Sequence, residues 1–126
     1  MEKTITNFKP RKLVDTNVIY KKGYYECRII DSTSKEHNGK DLFVVYFQVV
    51  KGRHKGFKEL SAGFYDDYKG NMRLTYLCEA VGITGELKDP SVLLGKFVKL
   101  RVVPKMVNSS GRSYRNYVIT RFHPVG

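Results

Sequence analysis

Residues 41–65 read DLFVVYFQVVKGRHKGFKELSAGFY, and two apolar alternations on either side of a glycine-punctuated basic turn decide the fold. In the first half, Phe43, Val45, Phe47 and Val49 form one unbroken apolar set, and Leu42, Val44, Tyr46 and Gln48 form a mixed one. A period of two puts these sets on opposite faces of a strand, so the first set is expected in the core and the second partly exposed. After KGRHKG the alternation resumes: Leu60, Ala62 and Phe64 continue the apolar face, while Phe57, Glu59, Ser61 and Tyr65 point the other way. The segment therefore predicts a hairpin of strands two and three, with Gly52 and Gly56 serving the turn.

Working outward, NVIYKKGYYECRIIDS at 17–32 alternates around Tyr25, Cys27 and Ile29 and reads as a long first strand bent at Gly23, closed by a polar stretch with a tight-turn signal at Asn38-Gly39. Downstream, Leu74, Leu77, Cys78 and Val81 recur at helical spacing behind Asp66-Asp67, and Gly82 supplies a stop. DPSVLLG suggests a short second turn. KFVKLRVVP then predicts a fourth strand with Val98, Leu100 and Val102 inward, KMVNSSGRS a polar loop, and YRNYVITRF a fifth strand. The fold class expected is mainly β: five strands with one helix between strands three and four. That is the element order of the OB-fold, a partly open Greek-key barrel, although a helix on an unrelated five-stranded sheet gives the same string.

With 126 residues the chain suits a single domain, expected at 18–126 behind a polar, basic arm at 1–17. Its 23 Lys+Arg against 12 Asp+Glu give a net charge of +11. Such self-repulsion is most economically offset by an anionic partner, nucleic acid first. Asp89 is the last acidic residue, and Lys96, Lys99, Arg101, Lys105, Arg112, Arg115 and Arg121 follow it. No run approaches a membrane span and no basic amphipathic helix stands apart, so a membrane partner is not expected. The N-terminus lacks the apolar core of a secretory signal, and Cys27 and Cys78 fall at apolar positions suited to buried free thiols, which together point to the cytoplasm.

Five stretches, KKGYYECRII, FQVVKGRHKGFKEL, LTYLCEAVG, LLGKFVKLRV and YRNYVITRFHP, resemble in this order a family of small bacteriophage single-stranded DNA-binding proteins with an OB-fold. The similarity runs from Val18 to Pro124, and its most specific part is the K-G-R-x-K-G turn with LLGK further on. The resemblance implies a protein that coats exposed single strands in phage replication and recombination, inside the bacterial host, in company with replication or recombination proteins. Many such proteins end in an acidic recruiting tail. This chain ends RFHPVG, which puts recruitment by a tail in doubt.

Single-strand binding needs cations that track phosphates and aromatic faces on which bases stack. With nine Tyr, seven Phe and no Trp, the chain has the second in quantity. Tyr46, Phe57 and Tyr65 are the candidates on the outward face of strands two and three, joined by Tyr24 and Arg28 from strand one and by Tyr114 beside the last loop. Lys51, Arg53, Lys55 and Lys58 make a first phosphate cluster, and Lys99, Arg101, Arg112 and Arg115 a second. Lys69 and Arg73 on the helix are read as serving solubility.

No catalytic, metal or cofactor site is expected. Asp66-Asp67 could open a metal-dependent nuclease or resolvase site, yet no third carboxylate stands at a suitable spacing and helix capping suffices. An RNA-binding OB module has the same composition and stays open, as does a homodimer through strand five or the arm.

Overall fold

The computed structural model describes residues 21–109 and 111–125, leaving the arm and the start of the expected first strand outside the described residues. Among the described residues five strands form one antiparallel sheet in the order β3-β2-β1-β4-β5. They are β1 (Gly23–His37), β2 (Lys40–Val49), β3 (Leu60–Tyr65), β4 (Phe97–Ser109) and β5 (Arg112–His123). The helix α1 (Tyr68–Ala80) lies between β3 and β4, followed by a short 3-10 turn at Pro90–Leu93.

The first strand organises the sheet because it changes partner along its length. Gly23 to Arg28 pair with β4, and Cys27 to His37 pair with β2. The kink expected at Gly23 lies instead at a bulge between Ile29 and Asp31, where the extra residue raises the local twist and bends the strand. Past the bulge, the polar stretch expected to end the strand carries on to a tight hairpin. Asn38 and Gly39 both have positive φ, 53° and 78°, as a two-residue primed turn requires. Most of the expected polar loop KMVNSSGRS, residues 105–109 and 112–113, is likewise strand: β4 and β5 stay paired from Val103 and Val118 out to Ser109 and Arg112, beyond the last β1 partner at Val102.

The core sits on one face. Cys27, Ile29, Val45, Phe47, Val49, Leu60, Ala62, Phe64, Val98, Leu100, Val102 and Ile119 are buried there, joined by Leu77 and Cys78 of α1 and by Leu93. Phe43, at the far end of its set, is only half-buried, and Val44 of the mixed set is buried. The two edge strands approach each other across this core: Phe64 of β3 and Phe122 of β5 have ring centroids 5.9 Å apart. The open sheet is therefore strongly curled.

The helix covers the gap between those edges. Asp67 caps it, accepting a hydrogen bond from Gly70 N at 2.8 Å, and Lys40 pairs with the same carboxylate at 3.2 Å. These bonds hold the Asp67 carboxyl below the usual range, the Gly70 amide first and Lys40 second. Gly70 is required by close approach, since a Cβ there would stand 1.9 Å from the Tyr65 carbonyl oxygen. Arg73, expected to serve solubility, is structural: Nη1 donates to Gly63 O of β3 at 2.9 Å and Nη2 to Ile119 O of β5 at 3.5 Å. Its guanidinium lies 5.1 Å from the Phe64 ring centroid and 5.9 Å from that of Phe122, and burial lowers its pKa. One side chain thus links both edges of the sheet.

Candidate nucleic-acid interface

The face opposite the core is assembled by strand register. Residues directly paired across neighbouring strands share a face, so the pairings lay out rows. Lys35, Leu42 and Tyr65 form one row; Asp31, Tyr46 and Ser61 a second; Gln48, Arg28 and Phe97 a third. Glu26, Lys99 and His123 make a fourth, and Tyr24, Arg101 and Arg121 a fifth. A bulge at Thr120 keeps the last row in phase: Ile119 turns into the core while Arg121 stays outside. Thr120 Oγ1 accepts from Arg101 Nη1 at 3.0 Å and steadies that guanidinium.

These rows carry exposed aromatic surface, and so does α1, where Tyr68 and Tyr76 stand open to solvent away from the sheet's outer face. Tyr24 is 57% exposed and Phe97 52%, while Tyr46 and Tyr65 are half-buried. The Tyr24 ring leans on His123, with centroids 5.5 Å apart. The Tyr65 hydroxyl and His37 Nδ1 share a hydrogen bond of 2.6 Å, which fixes the ring at the far end of the face. Between the rings stand Arg28, Lys35, Lys99, Arg101 and Arg121. The carboxylates of these rows are engaged locally: Lys51 Nζ pairs with Glu26 Oε1 at 3.0 Å, and Asp31 Oδ1 accepts from Ser32 N at 2.8 Å.

Of the residues expected from sequence, Tyr24, Arg28, Tyr46, Tyr65, Lys99 and Arg101 are brought together on this one face. Phe57 is a correction. It is 7% exposed, belongs to the core and packs edge-on against Tyr117 at 5.5 Å. Alternation would turn Phe57 outward only if strand three began at residue 57, whereas β3 begins at Leu60 and the intervening residues are irregular. The bonds Val49 N to Phe57 O at 2.9 Å and Gly56 N to Val49 O at 2.8 Å fold the ring inward over the end of β2.

The basic turn is closed by Lys55 N to Gly52 O at 3.2 Å and Phe57 N to His54 O at 3.0 Å, with Gly52 and Gly56 at φ 85° and 96°. It borders the face beside Tyr24, not beside Tyr46. Tyr24, Tyr25, Glu26, Lys51, Gly52, Arg53 and His54 line a shallow pocket of about 320 Å³, and the Tyr25 ring meets His54 edge-on at 5.8 Å. Lys55 and Lys58 are exposed nearby in sequence. Arg112, Tyr114 and Arg115 pair by backbone with Ser109, Val107 and Met106 near the tip of the β4–β5 ribbon, and their side chains lie outside the described ones.

Sequence reasoning missed Phe97 as a site residue, although its alternation with Lys99 and Arg101 was there to be read. It also left out Gln48, which accepts from Arg28 Nη2 at 3.4 Å.

The two aspartates weighed for a nuclease site both have structural partners. Asp67 is the helix cap, and Asp66 Oδ1 accepts from Asn71 Nδ2 at 3.1 Å. Both cysteines are buried and free; desolvation, with Glu26 adding to it, pushes the Cys27 thiol up to about 12, and burial raises Cys78. Among the described residues no cluster of three or more His, Cys, Asp or Glu side chains could hold a metal ion, and no helix is long and apolar enough to cross a membrane. A scan of protein-family models and a search of curated proteins find no match to this chain.

Proposed function

We propose that this chain is a non-enzymatic single-stranded DNA-binding protein with an OB-type barrel, which coats exposed strands in phage replication and recombination in the cytoplasm of a bacterial host. The OB reading is supported by a bent first strand shared between β2 and β4, and by a helix laid over the gap between β3 and β5. The observation that carries the function is the outer face itself. Tyr24, Phe97, Tyr46 and Tyr65 alternate there with Arg28, Lys99 and Arg101 on register-fixed rows, with the cations of the KGRHKG turn at one border.

Base–aromatic stacking on such a surface is tolerant of sequence, and the cations supply the phosphate term. Outward neighbours along one strand lie about 6.8 Å apart, two residues of strand rise, so the rings and charges form a track and not a point. Such binding proceeds by mass action without nucleotide hydrolysis.

Fluorescence anisotropy with a labelled oligothymidine strand tests the reading. Neutralising about four phosphates gives a slope of log K against log salt of about −3, at roughly 0.7 per phosphate for single strands. Matched duplex DNA should bind more weakly, and competition with RNA of the same sequence measures sugar preference. An affinity indifferent to salt, or a preference for duplex, refutes the proposal.

A further inference from the structure

The third row carries chemistry that tolerant stacking does not use. Gln48 on β2, Arg28 on β1 and Phe97 on β4 are direct partners, so the arginine stands between an amide and an exposed ring. Directly opposed side chains start from Cβ atoms about 4.5–5.5 Å apart. A base laid on the Phe97 ring therefore has an edge over Arg28. Gln48 Oε1 accepts one bond from Arg28 Nη2 at 3.4 Å and draws the guanidinium toward β2. A guanidinium has five N–H donors in a rigid fork, so donors remain for a ligand.

What fits that fork is a pair of acceptors on one base edge. Guanine presents N7 and O6 together; adenine puts an amino donor beside its N7, thymine sets an N–H between its two carbonyls, and cytosine has an acceptor pair only at N3 and O2 of its pairing edge, crowded by its own sugar. In a single strand this edge is free of any groove and open to a side chain. We propose that Arg28, oriented by Gln48 beside the Phe97 ring, forms a guanine-reading subsite within the strand-binding face. The inference rests on the single-strand reading above and adds a base preference to it. Phe97 supplies the platform and Arg28 the recognition. Gln48 is a positioning residue.

The test compares an oligothymidine strand with the same strand carrying isolated guanines, spaced to prevent self-association, and with versions in which each guanine is replaced by hypoxanthine or by 7-deazaguanine. Hypoxanthine keeps N7 and O6, whereas 7-deazaguanine lacks N7. The guanine strand should bind at least about fivefold more tightly than the thymine strand, the low end for a bidentate contact because the site is open to water. Hypoxanthine should keep the advantage and 7-deazaguanine lose it. In Arg28→Lys, which keeps the charge and removes the fork, the guanine-to-thymine affinity ratio should fall toward one.

A thymine strand bound with no guanine advantage overturns the subsite and leaves strand binding standing. So does an advantage that survives 7-deazaguanine or Arg28→Lys. Failure of every strand to bind at low salt removes the functional reading itself. The base analogues are read on the unaltered protein, so the result does not depend on how a variant folds.

Discussion

Truncating Phe97 separates stacking from folding. Its ring is 52% exposed on the outer face, so Phe97→Ala removes only part of a buried ring. Burying a whole large apolar side chain is worth about 1.5–3 kcal/mol, which makes the expected stability loss roughly 1 kcal/mol. A stacked base is worth about 1–3 kcal/mol by alanine substitution, or about 5-fold to about 150-fold in Kd. The comparison is Phe57, 7% exposed and packed on Tyr117. Phe57→Ala should cost about 3–5 kcal/mol of stability. Phe57→Leu, milder, should lower the melting temperature and leave the affinity of the folded protein for oligothymidine within about twofold. Urea titration and anisotropy on the same preparations give both quantities. A folded Phe97→Ala protein that binds oligothymidine within twofold of the parent refutes the stacking role. A Phe57→Leu protein that stays as stable as the parent but binds many times more weakly would return that ring to the interface.

Two further outcomes concern the helix that closes the fold. Gly70→Ala gains at most about 1 kcal/mol of helix propensity but places a Cβ 1.9 Å from the Tyr65 carbonyl oxygen, so urea denaturation should show a net loss of about 3 kcal/mol; an equally stable variant would contradict that packing. The Asp67 carboxyl is held low in the folded state, chiefly by the Gly70 amide and then by Lys40, so its contribution to stability is full above the unfolded-state pKa and is lost as pH falls through the lower folded value. Asp67→Asn still caps but carries no charge, and its melting temperature should fall less steeply over acid pH than the parent's; parallel curves would deny the linkage.

The hairpin at residues 41–65 was legible because burial stamps a period of two on it. Val45, Phe47 and Val49 on β2 and Leu60, Ala62 and Phe64 on β3 lie where the alternation puts them. The same reasoning failed at Phe57, which an irregular turn delivers to the core, since alternation holds only within a continuous strand. It failed again at the polar extensions of β1 and β4, which pair as strands though their sequences carry no apolar period. Arg73 was illegible for another reason. Its partners Gly63 and Ile119 stand 10 and 46 residues away in the chain, and nothing local distinguishes it from a solvated helix cation.

That arginine bears on why a free face exists. A curled five-stranded sheet has two open edges, and unpaired strand edges invite further pairing. Here Arg73 satisfies one carbonyl on each edge and α1 covers the seam, so the edges are managed from the core side. The core itself is complete on the inner face, where Phe47, Leu60, Leu100 and their neighbours are fully buried. Folding therefore asks little of Tyr24 or Phe97, yet both rings stand largely in water between cations on the outer rows. Large apolar rings exposed in an ordered row among like charges weaken solubility and add nothing to the core. A polyanion with flat bases offsets both terms at once, screening the repulsion and covering the rings. A purely acidic protein surface would answer the charge and leave the rings wet, and for that reason a nucleic acid strand is the partner proposed for the outer face.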